Sequence, residues 1–507
     1  MNKVHIILAL TLILIVRSAA FAQDEQQPVP APVPAAGQDA NAVPTVSENP
    51  PISAIDQPGL EPHAAPESFL VPGLHFSQSV DSNVGDTTAG ASLTSVTRAL
   101  GSLTLQKLWK NYDVAMDYIG GVAYYDQSGI GVQQLQQFDI DNRINWKRGQ
   151  LAIRDSFSYL PEGTFGFGAY GGGGAYDSGV GSLGSGLLGG GAFAGQSSAF
   201  SGGNGLNIGL GVVPRITNFA LADVVEELTP KSSVTFAAGY GLLHFYGNLT
   251  DQNSLVGIPL QENVSFIGSS EYTGQVGYNR TLTPRDQFAV SYGYQAFDFS
   301  VVGTAFHSNV VQVMYGHRIS GRMDFVISAG PQFTRINQQQ CNIPTIPAVS
   351  CSGLGGTVST VGDSRVGAAG RVQLRYRFPR TSVSLSYQRY DTNGSGIFAG
   401  ALSDIVAADA KRPLSRVWDA FANAGYSRNS QLQLPGSVVS SGVFSYVFAG
   451  AGLHRQFGRS LRGFVSYQFN YVSFNNGCPL GTACSNTTQN HVGSIGLDWT
   501  PRPIRLD

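Results

Sequence analysis

From about residue 69 to residue 499 the side chains keep changing sides. Apolar and polar residues alternate over runs of roughly ten, which is the period of a strand whose two faces meet different surroundings. In FDIDNRINW, Phe138, Ile140, Ile144 and Trp146 fall on one face, and Asp139, Asp141, Arg143 and Asn145 on the other. In VGAAGRVQLRYRF, Val366, Val372, Leu374, Tyr376 and Phe378 alternate with Arg371, Gln373, Arg375 and Arg377. A soluble sandwich turns its apolar face inward. Here one face is aromatic while the other carries charge and glycine, which suits hydrocarbon outside and water inside.

Composition supports that assignment. Charged residues make up 13% of the chain, against about 25% in an average soluble protein. No stretch after the N-terminus approaches ~18 consecutive apolar residues, so no transmembrane helix is expected. The 28 Phe, 21 Tyr and 63 Gly are then material for strands that cross a bilayer. A formal net charge of −2 argues against a nucleic-acid partner.

Turn signals cut the alternating region into hairpins. Short basic turns recur at Lys110, Lys147, Lys231, Arg285, Arg322, Arg380, Arg416, Arg459 and Arg502, in contexts such as LTPKS, LTPRD, FPRTS and QFGRS. Where regular, they stand about forty residues apart, enough for two strands and two connections. The expected fold is therefore all-β: a transmembrane antiparallel up-and-down barrel of about 18 strands, with 16 as the alternative. An even strand number leaves both chain ends on the same side, the periplasm. The tryptophans agree. Trp109, Trp146, Trp418 and Trp499 each lie within three residues of an expected tight turn. Trp favours the lipid–water boundary, so they predict an interfacial girdle.

The first residues read as an address. Lys3 is followed by the apolar run Ile6 to Val16 and by Ala20-Phe21-Ala22, the pattern of a signal peptide cleaved after Ala22. Residues 1–22 are assigned to it. Residues 23–66, rich in Pro and Ala, cannot bury a core and are expected to be a disordered periplasmic linker. Residues 67–507 form the barrel. Four cysteines occur as two close pairs, Cys341 with Cys351 and Cys478 with Cys484, each spanning a Pro/Gly/Asn-rich segment. In an exported chain they read as two local disulfides pinning outer loops. A metal site would need ligands converging from both loops, and no histidine stands at ligand spacing, so no metal or cofactor is expected.

The whole of 69–499 resembles a large Gram-negative outer-membrane barrel of the porin type. More narrowly it is similar to the poorly characterised putative porins of soil bacteria, with repeated LTPR turns and aromatic hairpins; RTLTPRDQFAVSYGYQAFDF, residues 280–299, carries the likeness best. The resemblance implies the cell outer membrane, insertion by the barrel assembly machinery, contact with outer-membrane lipid, and passive diffusion of small polar solutes. Homotrimers occur among such barrels, but no interface signature stands out here. One departure is that Trp499 is followed by TPRPIRLD. An aromatic terminal signal is therefore internal or altered.

Inside such a barrel the charges are uneven. Asp113, Asp117, Asp139 and Asp141 lie on the third and fourth strands, and Arg371, Arg375 and Arg377 on the twelfth, nearly opposite. These pore-lining candidates would set a transverse field, unless Arg143 and Arg154 compensate the acids locally. The Gly-rich insertion 161–215 is expected to be a third outer loop, either folded into the pore or exposed. Its three GxGxxG strings, at Gly166, Gly179 and Gly184, follow from glycine density and lack a βαβ context. Enzyme signals are missing: there is no GxSxG, no HExxH, and no His of the barrel in a recognisable Ser/His/acid motif. Two alternatives to a channel stay open. One is a non-conducting adhesin or receptor acting through its loops, and the other is a barrel that exports a polymer.

Overall fold

The computed structural model describes residues 68–82, 93–126, 131–160, 215–245, 268–283, 285–299, 303–320, 322–341, 357–378, 380–392, 399–432, 442–474 and 487–506. The signal peptide, the linker, the insertion up to residue 214 with its GxGxxG strings, and Cys351, Cys478 and Cys484 lie outside the described residues, as does the side chain of Cys341.

In chain order the strands are β1 (Phe69–Asp81), β2 (Thr94–Leu108), β3 (Tyr112–Tyr125), β4 (Gly131–Trp146), β5 (Gly149–Leu160) and β6 (Arg215–Thr229). They continue with β7 (Ser232–Phe245), β8 (Ser269–Thr283), β9 (Asp286–Phe299), β10 (Thr304–Ser320), β11 (Met323–Cys341) and β12 (Val358–Phe378). The last are β13 (Thr381–Thr392), β14 (Ala401–Pro413), β15 (Trp418–Gln431), β16 (Val443–Phe457), β17 (Leu461–Phe474), β18 (Thr487–Trp499) and the short β19 (Ile504–Arg505). Each of β1 to β18 pairs antiparallel with its neighbour in sequence. β18 then pairs with β1, from Leu74↔Trp499 to Asp81↔Val492, and the sheet closes. This is an all-β, up-and-down, closed barrel of 18 strands, as the alternation predicted.

The tail adds what the sequence did not announce. Beyond Trp499 the chain runs on in the direction of β18, shifted by one residue of register, and β19 pairs with the first residues of β1, Leu70 with Ile504 and Phe69 with Arg505. Lys107 Nζ donates to the carbonyl of Leu506 at 3.3 Å. The residues after the last aromatic therefore belong to the wall.

The basic turns fall together at one end. Lys110, Lys147, Lys231, Arg285, Arg322, Arg380, Arg416 and Arg459 all sit in connections from an even-numbered strand to the next odd one. A recurrent local bond explains the Thr or Ser two residues earlier. Its hydroxyl accepts the N–H of the basic residue: Thr229 from Lys231 at 3.3 Å, Thr283 from Arg285 at 3.1 Å and Ser320 from Arg322 at 3.2 Å. Such a bond stands in for a ladder bond where the chain reverses.

Burial is inverted relative to a soluble fold. On β1, Leu74 and Phe76 are 60% and 54% exposed, while Ser77 and Ser79 are 2% and 1%. The rule repeats round the ring: Val311 and Val313 face out beside buried Gln312, Ile495 and Leu497 beside buried Ser494, Phe333 beside buried Gln332 and Thr334. Apolar side chains on an open surface are stable only against lipid, where each adds apolar contact without a desolvation cost. No described helix is long and apolar enough to cross a membrane.

The outward assignment has a signed consequence. Val313 lies seven positions from the turn-side end of β10, near mid-height. Val313→Arg should lower stability in a bilayer by about 2–4 kcal/mol, and Val313→Leu by no more than about 0.5 kcal/mol. Denaturant titration in lipid vesicles measures both; on a water-facing wall the arginine would be tolerated.

Candidate functional site

The site is the inner surface of the barrel, built from the alternate positions that the outer face leaves over. On β3 to β6 it is ionic. Asp139, Asp141, Arg154 and Asp223 are all buried. Arg143 donates to Asp141 at 2.7 Å, and Arg154 reaches Asp223 at 3.0 Å and Asp141 at 3.6 Å. Asp113 accepts from Asn145 at 3.3 Å, Asp117 from Thr104 at 2.7 Å, and Asp139 from Gln137 at 2.8 Å. Arg98, on β2, donates to Ser79 at 2.6 Å. Removing one member of a buried ion group strands the others, typically at about 3–5 kcal/mol.

Sequence reasoning named most of this group but not Asp223. The inward face of β6 also carries Phe219, Leu221 and Val225. Alternation there offers no contrast, so an acid among apolar neighbours went unnoticed.

The opposed arginines lie on β12. Arg371 takes the inward parity, since Val366, Val372 and Phe378 are exposed on the other face, and it donates to Gln373 at 3.0 Å. Arg375 and Arg377 occupy alternate positions on the same strand; their side chains lie outside the described ones.

The four tryptophans gather at one end. Trp109 follows β2, Trp146 ends β4, Trp418 begins β15 and Trp499 ends β18, all at the turn side. Trp109, Trp146 and Trp499 are exposed. Arg455 lies over the Trp418 ring at 5.2 Å and over the Phe457 ring at 4.9 Å, and Lys107 over Trp109 at 6.0 Å. Trp146 Nε1 donates to Glu226 at 2.8 Å. Rings with a cation or a wet N–H partner belong at a headgroup boundary.

A feature invisible in the sequence narrows the other end. β12 pairs with β13 only between Phe378↔Thr381 and Gly370↔Arg389. Beyond that point β12 stays with β11 as far as Cys341↔Val358, and β13 stays with β14 as far as Thr392↔Ala401. The sheet splits there. Asp391 has the parity of outward-facing Leu385 and Tyr387, yet it is buried and accepts hydrogen bonds from Ser308 and Thr334 on the inner faces of β10 and β11. Leu402 has the parity of outward Val406, yet with Leu432 it packs against the inward-facing Phe297, Phe299, Phe306 and Ile336. The tips of β13 to β15 therefore lean into the barrel until their outer faces meet the inner faces of β9 to β11. Gly400 sits at the contact with φ +88°, and a Cβ there would come within 2.6 Å of the Phe306 ring. Only glycine fits on both counts.

One arrangement invites a chemical question. His75 Nδ1 donates to Asp498 at 2.9 Å, and its Nε2 accepts from the Ser102 hydroxyl at 2.8 Å. The order resembles a nucleophile relay. Such a site also needs free N–H donors for an oxyanion, and around this row the backbone N–H groups are committed, because β1 is paired on both sides. The row instead locks the first strand to the last across 423 residues of sequence. Among the described residues no group of three or more His, Cys, Asp or Glu is placed to hold a metal.

The architecture is a closed antiparallel barrel of 18 strands with its apolar residues outward and its polar residues inward. No family model matches the chain, and no curated protein matches it. Solved structures similar to it include Pseudomonas aeruginosa OpdK with vanillate, at 10% identity and a TM-score of 0.39 over 86% of this chain and 98% of that one. Acinetobacter baumannii OccAB4 aligns at 8% identity and a TM-score of 0.40, over 88% of this chain and 100% of that one. Pseudomonas aeruginosa OccK2 (OpdF) gives 10% identity and 0.39, over 87% and 98%.

If the leaning tips set the narrowest point, freeing them widens the path. Phe306→Ala combined with Asp391→Asn should raise single-channel conductance in a planar bilayer. An unchanged conductance would place the constriction elsewhere.

Proposed function

We propose that this chain is an outer-membrane channel through which small hydrophilic solutes diffuse passively. The observation that carries the reading is the inverted sheet: aromatic and aliphatic residues on the open outer surface, and Ser, Thr, Asn, Gln and paired charges on the inner one. A barrel of 18 strands is wide enough to enclose an aqueous path. The inner wall then replaces part of a solute's hydration, and its charges set which solutes enter. The chain would reach the membrane through the signal peptide, cleaved after Ala22, and through the barrel assembly machinery. The paired cysteines would pin two outer loops as disulfides.

Within this reading the acids of β3 and β4 and the arginines of β12 lie on separate arcs of the wall. The field between them is weakened where Arg143 and Arg154 pair with Asp141 and Asp223. Passive permeation is tested by reconstitution: the refolded protein should give stepwise ohmic conductance in a planar bilayer. A barrel acting only through its loops would insert and stay silent. The field is tested by replacing Arg371, Arg375 and Arg377 with Gln. Reversal potential in a salt gradient should move toward cation preference, and an unmoved potential would remove the field from the account.

A further inference from the structure

The outward face of β13 to β15 carries a row of charge on the side that faces lipid. Arg389 pairs across the ladder with Asp404, and Asp404 with Arg428, so the three stand side by side on neighbouring strands. They share the outward parity of exposed Tyr387 on β13, Val406 on β14 and Tyr426 on β15. Arg428 is exposed, and the side chains of Arg389 and Asp404 are 40% and 26% exposed. Arg389 Nη1 donates to Asp404 at 3.3 Å, and the Tyr387 hydroxyl donates to the same carboxylate at 2.9 Å. One acid between two guanidinium groups leaves the row positive. Two strand spacings hold the arginines about 10 Å apart.

The height of the row fits a lipid boundary. On β15 the outward residues from Trp418 to Arg428 are otherwise Ala420, Ala422, Ala424 and Tyr426. Ten residues make about 34 Å of strand. At a tilt of ~40° that stands about 26 Å tall, near the ~25 Å of an apolar band. Trp418 marks one boundary, and Arg428 stands at the other. Exposed tyrosines agree: the Tyr426 hydroxyl lies 3.3 Å from Ser445, that of Tyr467 lies 2.7 Å from His491, and Tyr292 donates to Asn309 at 2.6 Å. Such rings belong where one end is greasy and the other wet. The row is also where the outer surface changes course. The next residues of outward parity, Asp391 on β13 and Leu402 on β14, lie inside the barrel, as does Leu432 further along β15. The charged row therefore sits at the shoulder where the wall turns inward.

We propose that this shoulder binds the phosphorylated sugar head of an outer-leaflet glycolipid, of the lipid A class, through Arg389 and Arg428. The proposal rests on the outer-membrane reading above, but not on conduction. A lipid-facing arginine is costly at mid-bilayer and nearly neutral at the boundary, so the row belongs among headgroups. Guanidinium meets phosphate in paired, charge-assisted hydrogen bonds. It carries five N–H donors, so the Nη1 bond that fixes Arg389 on Asp404 leaves others to a headgroup. Two arginines held apart by an acid suit a head with two separated phosphates, as at the ends of the lipid A disaccharide. The single phosphate of a phospholipid would engage one of them. At the turn-side boundary Arg455 is arranged differently, as a cation over the Trp418 and Phe457 rings.

The test uses the full-length mature protein, refolded in detergent without added lipid, and native mass spectrometry to titrate bound lipid. Diphosphoryl lipid A, monophosphoryl lipid A and phosphatidylglycerol are the probes. Variants are Arg389→Gln, Arg428→Gln, the two together, and Arg455→Gln at the other boundary. Heat-modifiable gel mobility reports folding, and the single variants carry the test if the double one fails to fold. Expected is tighter binding of diphosphoryl lipid A than of the other two lipids. Each of Arg389→Gln and Arg428→Gln should weaken it roughly three- to tenfold, with Arg455→Gln unchanged. Phosphatidylglycerol binding as tightly as diphosphoryl lipid A overturns the glycolipid assignment. Lipid A binding that is indifferent to Arg389 and Arg428, or that Arg455→Gln weakens equally, overturns the site. Conductance of the same preparation is read separately: a silent barrel that binds lipid A removes the channel and keeps the site.

Discussion

A backbone that crosses hydrocarbon has nowhere to leave an N–H or C=O unpaired. That constraint explains why the first strand must meet the last. The β1–β18 ladder from Leu74↔Trp499 to Asp81↔Val492 removes the two edges an open sheet would present to lipid. Much of the surrounding detail serves this seam. His75 bonds Asp498 across it, the β19 tail pairs with the foot of β1, and Lys107 holds the carbonyl of Leu506. The segment after Trp499, which looked like an anomaly at the end of the sequence, covers the start of the first strand where β18 has already ended.

With the ladders closed, the alternation of side chains decides the rest, because each strand must satisfy lipid and water at once. The outer face is simple and repetitive. The inner face differs from arc to arc, with ion pairs on β3 to β6, hydroxyl and amide groups with the one acid Glu271 on β8, and the arginine position 371 on β12. Selectivity in such a barrel would come from which arc a solute follows. The leaning tips of β13 to β15 press against β9 to β11 at the outer end and would steer that choice.

Elements with two distinct faces and a turn at their foot were legible from sequence. β9, Asp286–Phe299, is the aromatic part of the segment 280–299 and begins just after its LTPR turn. The far ends of β11 and β12 were not, because segments such as NQQQ and VSTVGDS show no apolar face: at the tip of β12, Ser359 to Gly362 are exposed on both sides. The lean of β13 was hidden for another reason. Alternation tells which residues share a face, but not which way the strand is tilted, so Asp391 and Leu402 share the parity of outward residues and yet end up inside. The ionic group was found except for Asp223, and the His75–Asp498 pair was out of reach, since its partners meet only once the ring closes.

The account depends on the outer face touching hydrocarbon and the inner face touching water, and spin-label accessibility along one strand measures that directly. Nitroxides placed singly from Phe288 to Gln295 on β9, in reconstituted vesicles, would be scanned against oxygen, which concentrates in lipid, and a water-soluble nickel chelate. The account predicts a period of two, with Phe288, Val290, Tyr292 and Tyr294 open to oxygen and Ser291 and Gln295 open to nickel. If the two profiles rise and fall together, or if the even positions prove closed to both agents, the apolar face packs against protein and the barrel is not a membrane channel.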